Sequence, residues 1–290
     1  MQLRAEQFEA ALAETLQMTK GADCPSQLEQ ALHRSVFPGG KRIRPRLVLA
    51  VADACRADDT ALVLAGAVSI ELLHCASLVH DDLPCFDNAS TRRGVPSIPA
   101  AYGERIAVLA GDALIVLAFE SLAVAAASHP ARLPRVLSAI ARSVGAPSGI
   151  AAGQAWECEP AIDLDAYHRA KTGALFAGAS AVGAIASGFD PAPWHKFGEM
   201  LGRAFQAADD VCDAAGDAAV LGKPVGRDAA LARPNAVAER GLSGAVTRVE
   251  TLLAAALDMV PECPGRDGFR KLVQRDAQRM LPAGLARVAA

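Results

Sequence analysis

Long apolar segments recur along this chain at helical spacing and are punctuated by proline or glycine. The punctuating stretches lie at 37–40, 145–147, 190–193 and 261–265. No segment alternates apolar and polar residues for long enough to predict a sheet. Alanine is abundant, and 290 residues include only 9 Phe, 2 Tyr and 2 Trp, which favours closely packed helices over a β-sandwich. These features predict an all-α fold.

The predicted helices follow from where the apolar periodicity begins and stops. They cover 3–19, 26–36, 44–56, 60–83, 102–127, 132–145, 149–158, 164–188, 194–217, 228–240, 242–258 and 265–281. No internal repeat, linker or shift in composition marks a boundary, so we expect one domain over 1–290.

The charge balance and the cysteines argue against several classes of protein. Lys and Arg number 29 against 32 Asp and Glu, whereas a nucleic-acid binder needs a basic face. The seven cysteines form no CxxC pair, so neither a zinc site nor a disulfide framework is indicated, and reduced thiols in the cytoplasm are expected. The acidic, amphipathic N-terminus does not resemble a signal peptide. The uncharged stretch 172–189 has a glycine at every fifth position, which favours a buried helix over a transmembrane segment.

A first acidic cluster, HDDLPCFD at 80–87, interrupts an apolar helix. Pro84 should end regular helix near Leu83, because proline disfavours helix at the residue before it. The loop that follows can then bring Asp87 back beside Asp81. Adjacent, partly buried aspartates repel one another and need a compensating cation.

A second acidic cluster, DDVCD at 209–213, also follows an apolar stretch. Asp209 and Asp213 are at i and i+4 and therefore share a helix face. Hard oxygen ligands fit Mg²⁺, which takes one or two carboxylates and fills its other positions with water and substrate phosphate. The alternative is a pair of solvated acidic helix ends, which the occurrence of two such clusters disfavours.

Basic residues are dispersed around these clusters in short motifs. They are Lys41 and Arg44 in GGKRIRP (39–45), Arg92 and Arg93 in RRG (92–94), Lys171 in KTG (171–173), Lys223 in GKP (222–224), and Arg233. Guanidinium and ammonium groups bind phosphate oxygens. If each of these residues is considered alone, the default interpretation is a solvated surface charge. Together with the acidic clusters, they predict a site for diphosphates bridged by Mg²⁺.

Helical spacing relates some of these side chains to one another. Lys41 and Arg44 are three apart, which in a helix places them on one side. His74 precedes Asp81 by two helical turns, so both face the same way. A lone histidine in an apolar helix is by default a satisfied core residue, and this register favours a role in the site.

These motifs resemble those of the trans-isoprenyl diphosphate synthases over nearly the whole chain. The matching blocks are GGKRIRP (39–45), ELLHCASLVHDDLPCFDN (71–88), RRG (92–94), LAGDALI (109–115), KTGALF (171–176), FQAADDVCD (205–213) and LGKPVGRD (221–228). The chain looks most like bacterial geranylgeranyl diphosphate synthases of carotenoid and bacteriochlorophyll pathways. That closer resemblance lies in GQAWECE (153–159), AYHRAKTGALF (166–176), RPNAV (233–237) and PECPG (261–265).

The resemblance implies a single polyprenyl synthetase domain with the isoprenoid synthase fold, in which helices surround a deep central cavity, usually in a cytoplasmic homodimer. The two acidic clusters would face each other across the cavity mouth. About three Mg²⁺ ions would bind there with the allylic diphosphate. Two ions would be held by Asp81 and Asp87, with Asp82 supporting, and the third by Asp209, with Asp210 and Asp213 nearby.

The resemblance also assigns two substrate pockets. The allylic diphosphate (dimethylallyl, geranyl or farnesyl) would meet Arg92, Lys171, Lys223 and Arg233. Isopentenyl diphosphate would bind without metal to Lys41, Arg44, His74 and Arg93. Thr172 and Gln206 would point oxygens at the reacting carbons. Val95 and Pro99 stand where relatives commonly have Lys and His, and Pro99 is expected to reshape the loop at the first acidic cluster and so to affect turnover more than binding.

The implied reaction is ionisation of the allylic diphosphate, attack by the double bond of isopentenyl diphosphate, and loss of a proton. Small residues at Ala76 and Ser77 predict a deep floor for the growing chain, and so geranylgeranyl rather than farnesyl diphosphate as product. Alternatively, Ala76 only packs between helices and the segment 113–119 sets the floor. Other readings are a farnesyl diphosphate synthase, a non-catalytic regulatory subunit, and a terpene cyclase or head-to-head synthase.

Overall fold

The computed structural model describes residues 2–37, 39–125, 129–215 and 236–277, and its helices confirm the predicted all-α fold. The helices are α1 (Gln2–Gln17), α2 (Ser26–Val36), α3 (Ile43–Ala54), α4 (Thr60–Asp81), α5 (Ile98–Tyr102), α6 (Glu104–Ala125), α7 (Leu133–Val144), α8 (Ile150–Ala155), α9 (Leu164–His168), α10 (Ala174–Ala186), α11 (Pro191–Ala215), α12 (Ala236–Asp258) and α13 (Arg266–Ala277). A 3₁₀ turn covers Trp156–Cys158 and a π-helical turn covers Arg169–Gly173. Two-residue strands β1 (Thr91–Arg92) and β2 (Val95–Pro96) form an antiparallel hairpin.

The observed helices differ from the predicted ones at a few places. The helix predicted at 102–127 is α6, and a short helix that was not predicted, α5, precedes it across Gly103, whose φ is 85°. The helix predicted at 164–188 is interrupted by the π-helical turn. Within α12, Gly241 has a φ of 69°, at the predicted boundary between 228–240 and 242–258, of which 228–235 lie outside the described residues. Glycine allows the breaks at Gly103 and Gly241 because it adopts positive φ at little cost.

The chain divides into two compact units. The first comprises Met1–Asp53, Ala57–Ile140 and Val182–Phe189, and the second comprises Ala54–Arg56, Ala141–Ala181 and Asp190–Ala290. The single domain over 1–290 therefore stays a prediction.

In the first unit, α4 is the central core helix. Asp59 caps its N-terminus by accepting a hydrogen bond from Leu62 N at 3.0 Å, and most of its residues are buried. A Cβ on Gly66 would lie 2.5 Å from Val182 Cγ1, so the helix surface approaches this neighbour closely. By length and composition α4 and α6 could each cross a membrane, but core helices of soluble proteins pass the same test, and the most apolar window of α4 is 78% buried.

In the second unit, α11 packs against α12 through small and branched apolar residues. The buried side chains of this seam are Ala204, Ala207, Ala208, Val211, Ala245, Val246, Val249 and Leu252. On another side of α11, a Cβ on Gly202 would lie 2.8 Å from Gly173 Cα. This close packing holds α11, which carries the second acidic cluster, against the π-helical turn that carries Lys171 and Thr172.

Candidate functional site

The first acidic cluster lies where α4 ends. Helix stops at Asp81, and the chain folds back so that Asp87 N donates to Asp81 O at 2.9 Å. Two further backbone bonds close this loop, Asn88 N to Leu83 O at 3.0 Å and Ala89 N to Asp82 O at 3.2 Å. The loop therefore brings Asp87 beside Asp81 through its main chain, with Asn88 at a φ of 47°.

Asp82 is 2% exposed and is engaged by Arg92 from the hairpin. Arg92 Nε donates to both carboxylate oxygens, at 3.0 and 3.2 Å, and Nη2 donates to Oδ1. Burial opposes the charge on Arg92, but the hydrogen bonds and charge of Asp82 outweigh it and raise the pKa of the guanidinium. Because its oxygens are occupied in this way, Asp82 fits the supporting role better than that of a direct metal ligand.

The hairpin that carries Arg92 turns at Arg93 and Gly94, whose φ angles are 53° and 77°. Two consecutive positive φ values define a type I′ turn, in which glycine at the second position relieves strain. Val95 pairs with Arg92 across the ladder. Pro99 lies in the first turn of α5, where its missing N–H costs nothing. Both departures from the family pattern are therefore compatible with the local backbone.

Three of the four residues expected to bind isopentenyl diphosphate, namely Arg44, His74 and Arg93, lie close together on or beside α4. Arg44 Nη1 lies 3.4 Å from His74 Nε2, and a Cβ on Gly40 would lie 3.0 Å from the Arg93 guanidinium. Burial, followed by the charges of Arg44 and Arg93, holds the pKa of His74 well below its usual value. His74 is thus neutral at pH 7 and can accept a hydrogen bond from Arg44.

The helical argument for Lys41 and Arg44 is wrong, because α3 begins only at Ile43 and Arg42 has a φ of 51°. Lys41 is exposed on the segment before the helix. Arg42, to which the sequence assigned no role, turns inward and donates to Glu71 at 2.6 Å and to Glu9 at 3.0 Å. This buried ion pair fixes the segment between Lys41 and Arg44.

The second acidic cluster lies within α11 and keeps helical spacing. Asp210 and Asp213 are 3% and 7% exposed, and Asp209 is partly exposed. The Thr172 hydroxyl donates to Gln206 Oε1 at 2.5 Å, and Gln206 Nε2 donates to Asp210 Oδ1 at 2.8 Å. The amide orientation of Gln206 follows from this network. The Thr172 oxygen keeps its acceptor lone pairs, which is what the expected role beside the reacting carbons requires.

Lys171 lies in the π-helical turn, and its ammonium donates to Glu157 Oε1. Tyr167 Oη donates to the same oxygen at 2.6 Å. Sequence reasoning missed Glu157 because an irregular stretch separates it from Lys171. The one feature of the sequence that pointed to Glu157 was its place in GQAWECE, a block that carries the resemblance to the geranylgeranyl diphosphate synthases. Lys223 and Arg233 lie outside the described residues.

Ala76 is 1% exposed within α4, and the Ser77 hydroxyl donates to His74 O at 2.8 Å. The burial of Ala76 agrees both with helix packing and with a position on an enclosed tunnel, so its role in chain length stays a prediction.

The donors present fit magnesium. Among the described ranges, no three His, Cys, Asp or Glu side chains already form a group that could hold a metal ion. Mg²⁺ does not require such a group, since it binds through one or two carboxylates plus water and phosphate. Asp81 with Asp87, and Asp209 on α11, supply carboxylate oxygens of this kind.

Comparison with known proteins gives relatives over nearly the whole chain. The sequence profile of the polyprenyl synthetase family matches residues 25–265. The chain is 51% identical to the geranylgeranyl diphosphate synthase of Cereibacter sphaeroides over 281 residues, covering 97% of this chain and 98% of that protein. It is 48% identical to the geranylgeranyl diphosphate synthase of Rhodobacter capsulatus over 276 residues, covering 95% and 96%.

A solved structure shares the fold. The crystal structure of a geranyltransferase from Helicobacter pylori complexed with magnesium and isoprenyl diphosphate superposes with a TM-score of 0.79 at 29% identity, covering 94% of this chain and 97% of that chain. These matches confirm the resemblance that the sequence motifs indicated, and the chain belongs to the polyprenyl synthetase family.

Proposed function

We propose that the chain is a Mg²⁺-dependent trans-prenyltransferase that adds isopentenyl diphosphate to an allylic diphosphate and releases geranylgeranyl diphosphate. The observation that carries the proposal is the loop that folds Asp87 onto Asp81 while Arg92 is clamped to Asp82. Carboxylates and a guanidinium at one helix end are the groups that a metal and a phosphate would need, and this supports the proposal. The relatives that are 51% and 48% identical are both geranylgeranyl diphosphate synthases, which supports the product.

The metal-binding part of the proposal rests on the acidic clusters. When bound, Mg²⁺ would supply positive charge that makes the diphosphate a better leaving group. We assign the direct ligands to Asp81, Asp87 and Asp209, with about three ions in all. The supporting carboxylates are Asp82, Asp210 and Asp213.

The allylic diphosphate would be held by Lys171 and Arg92, together with Lys223 and Arg233 outside the described residues. Cationic donors aimed at the departing diphosphate stabilise the charge that develops on it. The allylic cation left behind is delocalised and survives where apolar walls exclude water. Thr172 and Gln206 would present oxygens near the reacting carbons.

Isopentenyl diphosphate would bind to Arg44, Arg93, Lys41 and His74. Arg44 and Arg93 bring permanent charge, and a neutral His74 can orient Arg44 without adding repulsion between cations. In the last step the released diphosphate would accept the proton, so no protein side chain is assigned as the base.

We also propose that the enzyme works as a cytoplasmic homodimer paired through α6. Exposed apolar side chains follow one side of this helix, with Val108 41%, Leu109 52%, Val116 66% and Val124 67% exposed. A two-fold axis near Val116 would pack the stripe against its own copy and bury it on both chains. The test is the solution mass of the wild type and of Val116→Arg by analytical ultracentrifugation, with loss of the dimer expected for the variant.

The activity is tested by incubating purified protein with Mg²⁺, isopentenyl diphosphate and each allylic primer in turn, and then measuring product length by mass spectrometry. We expect a twenty-carbon diphosphate, and no elongation after EDTA treatment. Failure to elongate any primer, or release of a cyclic hydrocarbon, overturns the proposal. Stimulation of another synthase without activity of its own would instead indicate a regulatory subunit.

A further inference from the structure

Three side chains, Lys171 among them, donate hydrogen bonds to one carboxylate, that of Glu157. Glu157, in the 3₁₀ turn after α8, accepts from the Lys171 ammonium and from the Tyr167 hydroxyl at 2.6 Å, both at Oε1. Its other oxygen accepts from Gln154 Nε2 at 3.1 Å. The Lys171 ammonium also lies over the Tyr167 ring, 5.7 Å from its centroid. Oε1 therefore binds the cation, while the bonds from Tyr167 and Gln154 fix the orientation of the carboxylate.

The backbone under Lys171 is held as tightly as its side chain. A Cβ on Gly153 would lie 2.3 Å from Lys171 N and 2.5 Å from Lys171 Cα, so α8 rests directly on the π-helical turn. Single π-helical turns inside α-helices are frequent at functional sites. Glu157 is 15% and Lys171 21% exposed, so the pair lies mostly out of solvent yet remains reachable.

An ammonium group has three N–H donors, and Glu157 takes one of them. A flexible lysine loses much rotamer freedom when it binds phosphate, and a carboxylate that already fixes its position reduces that loss. The partly desolvated pair also keeps the ammonium from drifting into solvent between turnovers.

We infer that Glu157 is a positioning residue, which holds the Lys171 ammonium at the place where the allylic diphosphate departs, with Tyr167 orienting the carboxylate. The inference rests on the proposed function, since it takes Lys171 as a ligand of the allylic diphosphate. Glu157 would thus act on the reaction through Lys171, without contacting either substrate or metal itself.

The test is steady-state kinetics on Glu157→Gln, with farnesyl diphosphate varied at saturating isopentenyl diphosphate and then the reverse. Losing one charge-assisted hydrogen bond predicts that kcat/KM for farnesyl diphosphate falls about tenfold, while KM for isopentenyl diphosphate stays within about twofold. Glu159→Gln is the matched control, since this glutamate is exposed two residues further on, and it should match the wild type.

A double-mutant cycle separates positioning from a general structural role. In a Lys171→Met background, Glu157→Gln should cost less than about twofold further, because its target is already gone. Equal losses with and without Lys171, or equal effects on both substrates, overturn the inference. If Lys171→Met alone leaves the kinetics for farnesyl diphosphate unchanged, the proposed role of Lys171 fails instead.

Tyr167→Phe keeps the carboxylate and the ring, and it provides a second measurement should Glu157→Gln not fold. It removes the hydroxyl at 2.6 Å and should lower kcat/KM for farnesyl diphosphate about threefold, again without changing KM for isopentenyl diphosphate. Wild-type kinetics in Tyr167→Phe and in any folded Glu157 variant would refute the positioning role.

Discussion

The two acidic clusters reach similar chemistry by different routes. At the end of α4, Asp81 and Asp87 are six residues apart, and a loop closed by three backbone hydrogen bonds brings them together. In α11, Asp209 and Asp213 share a face because the helix alone spaces them so. The first arrangement depends on residues that are not proposed as ligands, whereas the spacing in the second follows from the helix itself.

The supporting carboxylates differ in the same way. Asp82 is buried in an ion pair with Arg92, which comes from the hairpin ten residues later. Asp210 accepts from the neutral amide of Gln206 one turn earlier in its own helix. The charge of Asp82 is thus compensated by a residue from another element of the fold. Its removal should therefore destabilise the protein more than removal of the charge of Asp210.

The largest expected effect is common to both clusters and tests the ligand assignment. Asp81→Ala and Asp209→Ala should each lower Mg²⁺-dependent elongation about 10³-fold or more, because each removes a proposed metal ligand. Relief of repulsion between neighbouring carboxylates should leave the Tm of the metal-free protein unchanged or higher. Radiolabelled product formation and thermal unfolding measure the two quantities.

Asp267→Ala serves as the control, since this aspartate is exposed on α13 and outside both clusters. It should keep normal activity. Near-normal elongation in either cluster variant would show that the assigned carboxylate is not a ligand.

The second prediction tests the difference between the clusters directly. Asp82→Asn should lower the free energy of unfolding by about 3 kcal/mol, because it removes the carboxylate to which the mostly buried Arg92 donates its hydrogen bonds. Asp210→Asn should cost only about 1 kcal/mol, since an amide oxygen can still accept from Gln206. Urea unfolding followed by circular dichroism gives both values. Equal losses would show that the Asp82–Arg92 ion pair contributes no more to stability than the contact between Asp210 and Gln206.

The third prediction separates the two proposed substrate pockets. Arg93→Ala, in the hairpin of the first unit, should raise KM for isopentenyl diphosphate about 10- to 100-fold through loss of a charged hydrogen bond worth ~1.5–3 kcal/mol. Lys171→Ala, in the second unit, and Lys223→Ala should instead impair the allylic substrate. Varying one substrate at saturation of the other measures the split, and it disappears if every variant affects both substrates equally.

The features that were predicted correctly from the sequence are those that depend on the spacing of residues along a helix. The apolar periodicity gave the helices, Pro84 placed the end of α4 within two residues of Asp81, and the i, i+4 aspartates lie within one helix as expected. Such features depend on neighbours along the chain, so a single sequence contains them.

What the sequence could not predict depends on contacts across irregular backbone. The Asp82 to Arg92 pair needs a hairpin whose turn residue, Arg93, has positive φ, which is uncommon for a residue other than glycine. The inward turn of Arg42 likewise follows from a φ of 51° that no periodicity reveals. Glu157 reaches Lys171 across the irregular residues 159–163. No spacing rule applies to any of the three.

The fourth prediction concerns pH in the second unit. Burial, aided by Arg203 and Arg248 and opposed by Asp165, lowers the pKa of His168 to about 4. The unfolded chain takes up this proton near pH 6.5 and the folded chain only near pH 4, so stability falls as the pH drops between these values. His168→Gln should remove on the order of 2 kcal/mol of that fall, measured by urea unfolding at pH 7 and pH 4. An unchanged pH dependence would show that His168 is not its source.

The last prediction changes no ligand and should cost the least activity, yet it decides the product. In the proposed reaction the tail of the growing allylic chain would descend along α4, where Ala76 lies five residues before Asp81, about 7.5 Å lower at ~1.5 Å per residue. If Ala76 borders a tunnel, the ring of Ala76→Tyr occupies empty space, so the main product should shorten to farnesyl diphosphate while the first condensation continues. If Ala76, which is 1% exposed, only packs between helices, the ring overfills the core. The variant should then lose about 1–3 kcal/mol of stability and still make geranylgeranyl diphosphate. Product length and urea unfolding, with Ala76→Ser as the small-change control, separate the two outcomes. If Ala76→Tyr is folded and active but still makes the longer chain, the segment 113–119 rather than Ala76 closes the tunnel. The product would then be assigned from the relatives alone.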